Sequence, residues 1–461
     1  MGDPDPHGRV SLRTAIQGCH VATCDAGATE YADGHVVWEG ARIVAVGPGR
    51  APETLSDGTV IDGSGCLVTP GLINTHHHLF QWITRGIAQD MTLIGWLTTL
   101  YPMWARLDER TVHAAVAANL GWLALSGCTM TSDHLYVFPV DGGDLLEAEI
   151  TAARMIGLRF HPARGSMDLG QSAGGLAPDS VVENRDAILA ATEAAIDRWH
   201  DPTPESMLRI AVAPCSPFSV TGELMRESAE LARRKRVRLH THLAQTLDEE
   251  EYCQTRYGCS PAEYAEELGW LGEDVWMAHC VDLAQPEIDR FAQTGTAVAH
   301  CPTSNGRLGS GASPLGALRR AGTPVGLGVD GAASNESGRM IDELHQAMLA
   351  ARGREGSLAL SARDALAMAT RGGARCLGRD QELGSLQEGK LADIALWRID
   401  GLAGGGIQDP VCTLVFGAPA LERLFVSGLA VVAAGELLSA DEEALARNAT
   451  GAAAMLQARA F

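Results

Sequence analysis

The 461-residue chain carries a formal net charge of −21, with 46% hydrophobic and 20% charged residues. That balance suits a globular protein with room for a barrel of ~250 residues plus a second unit, and no apolar run approaches the ~20 residues that span a bilayer. Strong acidity argues against nucleic-acid and membrane-surface partners and favours a small, uncharged one, with homo-oligomerisation left open.

In chain order, residues 1–10 (MGDPDPHGRV) lack the basic start and apolar stretch of a secretory signal, so a cytoplasmic location is expected. His35–Gly47 reads as two short strands turning at Glu39-Gly40, and Phe425–Glu436 repeats that plan around Ser427-Gly428. With the strand Ala392–Trp397, these segments are expected to join in one small sheet. Between them, short apolar runs ending in polar residues alternate with helical patterns, the sequence form of βα units. Eight such strands are expected, ending near His78, His134, Arg164, Cys215, His242, Cys280, Cys301 and Asp330. Ser260-Pro261-Ala262-Glu263 spells a capping box with proline at the first helical position. An Ala-rich helix closes the chain over residues 440–459. The expected fold is α/β: a TIM-type (β/α)8 barrel over residues 69–385, with a small β-sandwich domain built from residues 1–68 and 386–461.

Several of those strands end in metal-capable groups. In Thr75-His76-His77-His78, strand alternation places His76 and His78 on one face and turns His77 away into packing. In Arg238-Leu239-His240-Thr241-His242, His242 lies nearer the C-terminal end, where barrel active sites sit, and His240 lies one layer deeper. The sixth strand ends at His279 and the eighth at Asp330. A lone histidine on an apolar strand is ordinarily structural, but independent structural histidines have no reason to share one rim. Imidazole and carboxylate suit one divalent ion, zinc first and iron second. No lysine ends a barrel strand to bridge a second ion. The 11 cysteines form no C-x-x-C pair and read as reduced core thiols.

The run Pro70-Gly71-Leu72-Ile73-Asn74-Thr75-His76-His77-His78, then His242, His279, His300-Cys301-Pro302-Thr303-Ser304-Asn305 and Gly328-Val329-Asp330-Gly331, resembles the amidohydrolase superfamily. Within it, Ala213–Ser219 and Arg164–Met167 look most like the 8-oxoguanine deaminases, in the branch shared with guanine deaminases and chlorotriazine hydrolases. The resemblance covers nearly the whole chain and implies a metal-dependent hydrolytic deaminase of a guanine-type heterocycle. It implies that His76, His78, His242 and Asp330 bind the metal, that Asp330 also takes a proton from water, and that His279 holds the attacking oxygen or polarises the bond under attack. It places Gln81 at the purine carbonyl edge and Trp96 against the ring.

One residue departs from the pattern. The family carries His-x-x-Glu after the fifth strand, where this chain reads His242-Leu243-Ala244-Gln245, and an amide does not shuttle protons. Three readings follow: an impaired variant that still binds metal and substrate, proton transfer through another residue such as His134, or a leaving group such as halide that needs no proton. A non-enzymatic metal-binding protein is the alternative from a different class. Two other motifs are discounted. Gly326–Gly331 matches G-x-G-x-x-G but sits at the eighth strand rather than opening a dinucleotide-binding unit. Gly170–Gly174 matches G-x-S-x-G without a buried strand before it, and is expected to be a substrate loop.

Overall fold

The computed structural model describes residues 13–53 and 58–460. Eight parallel strands close into a barrel in sequence order: Leu72–Asn74, Cys128–Leu135, Arg159–Ser166, Ala211–Pro214, Leu239–Leu243, Val275–His279, Ala297–His300 and Val325–Leu327. Each is buried along its whole length, because crossover helices cover the outside while side chains fill the inside. All eight expected strands are present. The first and eighth end early, so Thr75–His78 and Gly328–Asp330 run on as loop above them. Those two loops stay tied, since the Asp330 amide donates to the His76 carbonyl (3.0 Å) and the Thr75 amide to the Leu327 carbonyl (2.9 Å).

The terminal segments meet in a single nine-stranded sheet. Its central strand Cys66–Pro70 pairs with Arg13–Ala22 on one side and with Ile394–Arg398 on the other. Glu30–Glu39 and Arg42–Pro48 extend one wing, Leu421–Val426 and Leu429–Ala433 the other. Trp38 and Phe425 stand four inter-strand steps apart, about 19 Å in a flat sheet, yet their ring centroids are 4.8 Å apart. The sheet therefore folds over on itself around Ile16, Val36, Val68, Ile394 and Leu396, which gives the sandwich character expected of this unit.

The capping box is formed as read: Ser260 Oγ accepts from the Glu263 amide (3.2 Å), and Glu263 accepts from the Ser260 amide (3.0 Å). The C-terminal helix Glu442–Ala460 buries Leu445, Ala449, Ala452 and Leu456. Among the described residues no helix is long and apolar enough to cross a membrane.

Barrel and sheet are joined by one buried ion pair. Arg159, at the start of the third barrel strand, donates Nε to Asp393 Oδ2 (2.8 Å) and Nη2 to Oδ1 (3.1 Å). Asp393 also accepts from the Ser427 amide (2.8 Å), so one carboxylate holds strand and hairpin together. Removing one partner strands a buried charge, which costs about 3–5 kcal/mol. Asp393→Ala is expected to lower unfolding free energy by that amount in denaturant titration, and a loss below about 1 kcal/mol would show that the pair does not join the two units.

Candidate active site

Two strand ends, carrying His242 and His279, and the loops after the first and eighth strands, carrying His76, His78 and Asp330, form one buried cluster. Asp330 Oδ1 lies 3.4 Å from both His76 Nε2 and His78 Nε2. His78 Nε2 is 3.1 Å from His242 Nε2, and Asp330 Oδ2 is 3.9 Å from His279 Nε2.

Each imidazole is oriented through its other nitrogen. A carbonyl only accepts, so His78 Nδ1–H donates to the His134 carbonyl (2.7 Å) and His242 Nδ1–H to that of Cys215 (2.6 Å). His279 Nδ1–H is turned to Asn305 Oδ1 (2.8 Å). His76 is held by a relay: His240 Nδ1–H donates to the Trp276 carbonyl (2.9 Å), which leaves His240 Nε2 to accept from His76 Nδ1–H (2.8 Å). Every Nε2 therefore presents a lone pair inward, the arrangement found when outer partners fix metal-ligating histidines. His240 thus lies one layer deeper, as expected, but it orients His76. His77 points away to Asn119 (3.1 Å).

Electrostatics agree with the tautomers. Burial lowers the pKa of His76, His78, His242 and His279, which keeps them neutral, the ligating form. Burial alone would raise Asp330, but the convergence of His76, His279 and His78 on it holds its carboxyl well below the ordinary value. It is further fixed by Ser304 Oγ (2.5 Å) and the Gly331 amide (2.7 Å). His76 Nε2 is buried without a hydrogen-bond partner. A converging set of neutral imidazoles, one ionised carboxylate and an orphaned lone pair fits a divalent metal ion.

Backbone strain gathers here. Ala244 (φ 50°), His279 (φ 74°), Cys280 (φ 49°) and Asp330 (φ 64°) all take the left-handed conformation, roughly 1–2 kcal/mol each for a residue with a Cβ. Close approach also dictates glycine at one position: a Cβ on Gly328 would stand 2.9 Å from His76 Cβ.

Above the cluster lies a cavity walled by Trp96, Tyr101, Tyr136, Phe218 and Leu308 and floored by His78, His242, His279 and Asp330. Its free space is small, about 50 Å³. A larger groove of about 550 Å³ runs between Glu109–Leu125 and Glu442–Ala460, away from the histidines.

The expected contact residues divide. Trp96 lines the cavity, its indole N–H anchored on the Ala333 carbonyl (3.0 Å). Gln245 also lines it. Gln81 is fully buried and is not on the wall; its amide nitrogen sits 3.5 Å from the Tyr136 hydroxyl, and its carbonyl oxygen has no partner. His134 stacks behind His242 at 4.9 Å, also off the wall. Residues 170–174, the expected substrate loop, do not line this cavity. Gly326–Gly331 aims Asp330 into the cluster instead of cradling a pyrophosphate.

Sequence reasoning missed Glu249, which lines the cavity. Its carboxyl accepts from the Ala244 amide (2.9 Å) and the Gln245 amide (3.0 Å), clamping the strained loop after His242, and burial pushes its pKa up to about 7. Three acids, Asp248, Glu249 and Glu250, open the helix Leu247–Tyr257, and only burial distinguishes the one that turns inward.

A family model described as "Amidohydrolase family" matches residues 67–431. The chain belongs to the amidohydrolase family. It is an enzyme of that family, 42% identical over 440 residues to 8-oxoguanine deaminase of Pseudomonas aeruginosa, covering 95% of this chain and 98% of that one. It is 40% identical over 400 residues to an isoxanthopterin deaminase from an unknown prokaryotic organism, covering 81% and 82%. Among solved structures, atrazine chlorohydrolase of Arthrobacter aurescens TC1 complexed with zinc superposes with a TM-score of 0.90 at 35% identity, over 95% of this amidohydrolase and 100% of that chain.

A buried carboxyl braces the helix Pro302–Arg307, which carries Ser304, against the segment that follows Asp330. Glu343 accepts from the Thr303 amide (3.3 Å) and from Asn335 Nδ2 (2.8 Å), and burial pushes its pKa up to about 8. A folded-state value above the unfolded one makes its contribution full at acid pH and lost as pH rises through about 8. Glu343→Gln, which stays neutral, is expected to flatten the fall in thermal stability between pH 5 and 8. An unchanged slope would mean that this carboxyl does not titrate in that window.

Proposed function

We propose that this amidohydrolase is a metal-dependent deaminase of a neutral, planar N-heterocycle with an exocyclic amine, in the class of 8-oxoguanine and related purines or pterins. The carrying observation is the convergence of His76, His78, His242, His279 and Asp330 below an aromatic-walled cavity. The relatives that deaminate 8-oxoguanine and isoxanthopterin support the substrate class.

His76, His78, His242 and Asp330 would hold one divalent ion. Zinc is favoured by the nitrogen and oxygen donors and by its presence in the atrazine chlorohydrolase, and iron(II) suits the same donors. When bound, such an ion lowers the pKa of water from 15.7 to about 7. Asp330, already ionised, would accept the proton; each of its oxygens takes one hydrogen bond, Oδ1 from the Gly331 amide and Oδ2 from Ser304 Oγ, and keeps a further lone pair. His279 commits its proton to Asn305, so its Nε2 faces inward as an acceptor and holds a hydrogen of the attacking water. Trp96, Tyr101, Tyr136 and Phe218 exclude solvent and bracket a flat ring. Addition of water at the amine-bearing carbon breaks the C–N bond, leaving a ring carbonyl and ammonia once a proton reaches the departing nitrogen.

That last proton is where Gln245 matters. Positioned general acid–base catalysis is typically worth ~10²–10⁴ in rate. This favours a second reading on the same machinery, a triazine-type hydrolysis that expels halide and needs no proton on the leaving group. The test is ammonia release from 8-oxoguanine, pterins and aminotriazines, run beside chloride release from a chlorotriazine, with metal content measured in parallel. A metal-loaded protein inert to all of them would overturn both readings and favour a binding protein.

Two substitutions sharpen this. His76→Ala and His78→Ala are each expected to empty the metal site and abolish turnover; full occupancy and activity in both would remove the ligand assignment. Gln245→Glu is expected to raise deamination by roughly 10²–10⁴ with metal content unchanged, while halide release stays level or slows. An unchanged amine rate would mean that the proton travels through another group.

A further inference from the structure

At the opposite end of the barrel, where the strands begin, lies a second cavity of about 250 Å³. Its wall includes His161, His200, Arg209, Arg236, Arg238 and Gly378, and among the described residues no Asp or Glu lines it. Three guanidinium groups on one concave surface stand out in a chain of net charge −21.

Arg238 and His161 are not consumed by the fold, and Arg209 and His200 keep a free donor each. Arg238 Nε is buried without a partner, and among the described residues the side chain makes no hydrogen bond or ion pair; its guanidinium lies 5.9 Å from the Trp276 ring. Arg209 donates to the carbonyls of Thr203 (3.0 Å), Pro202 (3.3 Å) and Gly378 (3.4 Å) and meets Glu382 only at 3.5 Å, while its Nε is also unpartnered. Both ring nitrogens of His161 are buried and unpartnered. His200 Nδ1 accepts from the Ile210 amide (3.1 Å), so its Nε2 carries the proton and is a donor. Gly378 (φ +64°) leaves the guanidinium its room, since a Cβ there would stand 2.8 Å from Arg238 Nη1.

Arg238 and Arg209 are half-buried with each Nε orphaned, and His161 is fully buried with both ring nitrogens orphaned; such buried polar atoms in a native fold ordinarily have a partner in a bound ion or water. We propose that this cavity binds a small oxyanion of the phosphate class, held by Arg238, Arg209 and Arg236 with His161 and His200 completing the donor wall. Guanidinium is suited to this task, because its planar fork meets two oxygens of a phosphate at once. The site is separate from the catalytic cavity but shares a support with it. Trp276, flanked here by Arg238 and by His161 (5.7 Å), stacks at 4.4 Å on His240, which orients His76.

The test is calorimetric titration of the metal-loaded protein with inorganic phosphate and, separately, with a purine nucleoside monophosphate, against a chloride control. Phosphate-type anions are expected to bind saturably and raise the melting temperature. Arg238→Met should weaken binding by roughly ten-fold or more, the scale of one charge-assisted hydrogen bond. Arg236 is exposed, so Arg236→Gln should fold normally and still weaken binding, which keeps the proposal testable if the Arg238 variant unfolds. Tighter binding of the nucleotide than of free phosphate would identify a phosphorylated metabolite as the ligand, and the reverse order the free ion. No saturable binding of either anion in the millimolar range, or equal binding by wild type and Arg236→Gln, would overturn the proposal and leave a water-filled cavity.

Discussion

Four imidazole Nε2 atoms and one carboxylate forced into a single buried space are the constraint on which the upper half of this molecule depends. Such a cluster is stable only if each ring is held in one tautomer and one orientation, and the fold supplies an outer partner for every one: the His134 carbonyl, the Cys215 carbonyl, Asn305 Oδ1 and the His240 relay. Those partners come from the second, fourth, fifth and seventh strands or the segments just after them, so the site exists only when the barrel is closed. The closure and the chemistry are one requirement.

The cost of that arrangement is visible in the backbone. His279 and Asp330 are themselves left-handed, and Ala244 and Cys280 beside them share the strain. Buried carboxyls offset it locally: Glu249 clamps the loop after His242, and Glu343 ties Thr303 to Asn335. On the other side of the barrel the Arg159–Asp393 pair fixes the terminal sheet.

Much of this was legible in the sequence because it rests on periodicity and position. Eight apolar runs ending in polar residues gave the barrel, and histidine at alternate positions of Thr75–His78 placed two donors together even though the ladder stops at Asn74. The acidic composition and the His242-Leu243-Ala244-Gln245 departure were equally plain. What stayed hidden depends on tertiary burial. Gln81 follows the motif closely in sequence, yet it packs beside Tyr136 and off the cavity wall. Nothing in Asp248-Glu249-Glu250 says which acid turns inward, and the cationic cavity draws Arg209, Arg238 and His161 from three separate strand starts.

The central claim is that one metal ion is held by nitrogen and oxygen donors alone. X-ray absorption at the zinc edge of the zinc-reconstituted protein tests it most directly. The account predicts one shell of nitrogen and oxygen neighbours at about 2.0–2.2 Å with outer scattering from several imidazoles. Cys301 lies close enough to His279 and Asp330 to compete. A sulfur neighbour near ~2.3 Å, or a metal–metal vector near ~3.5–4 Å, would contradict the account.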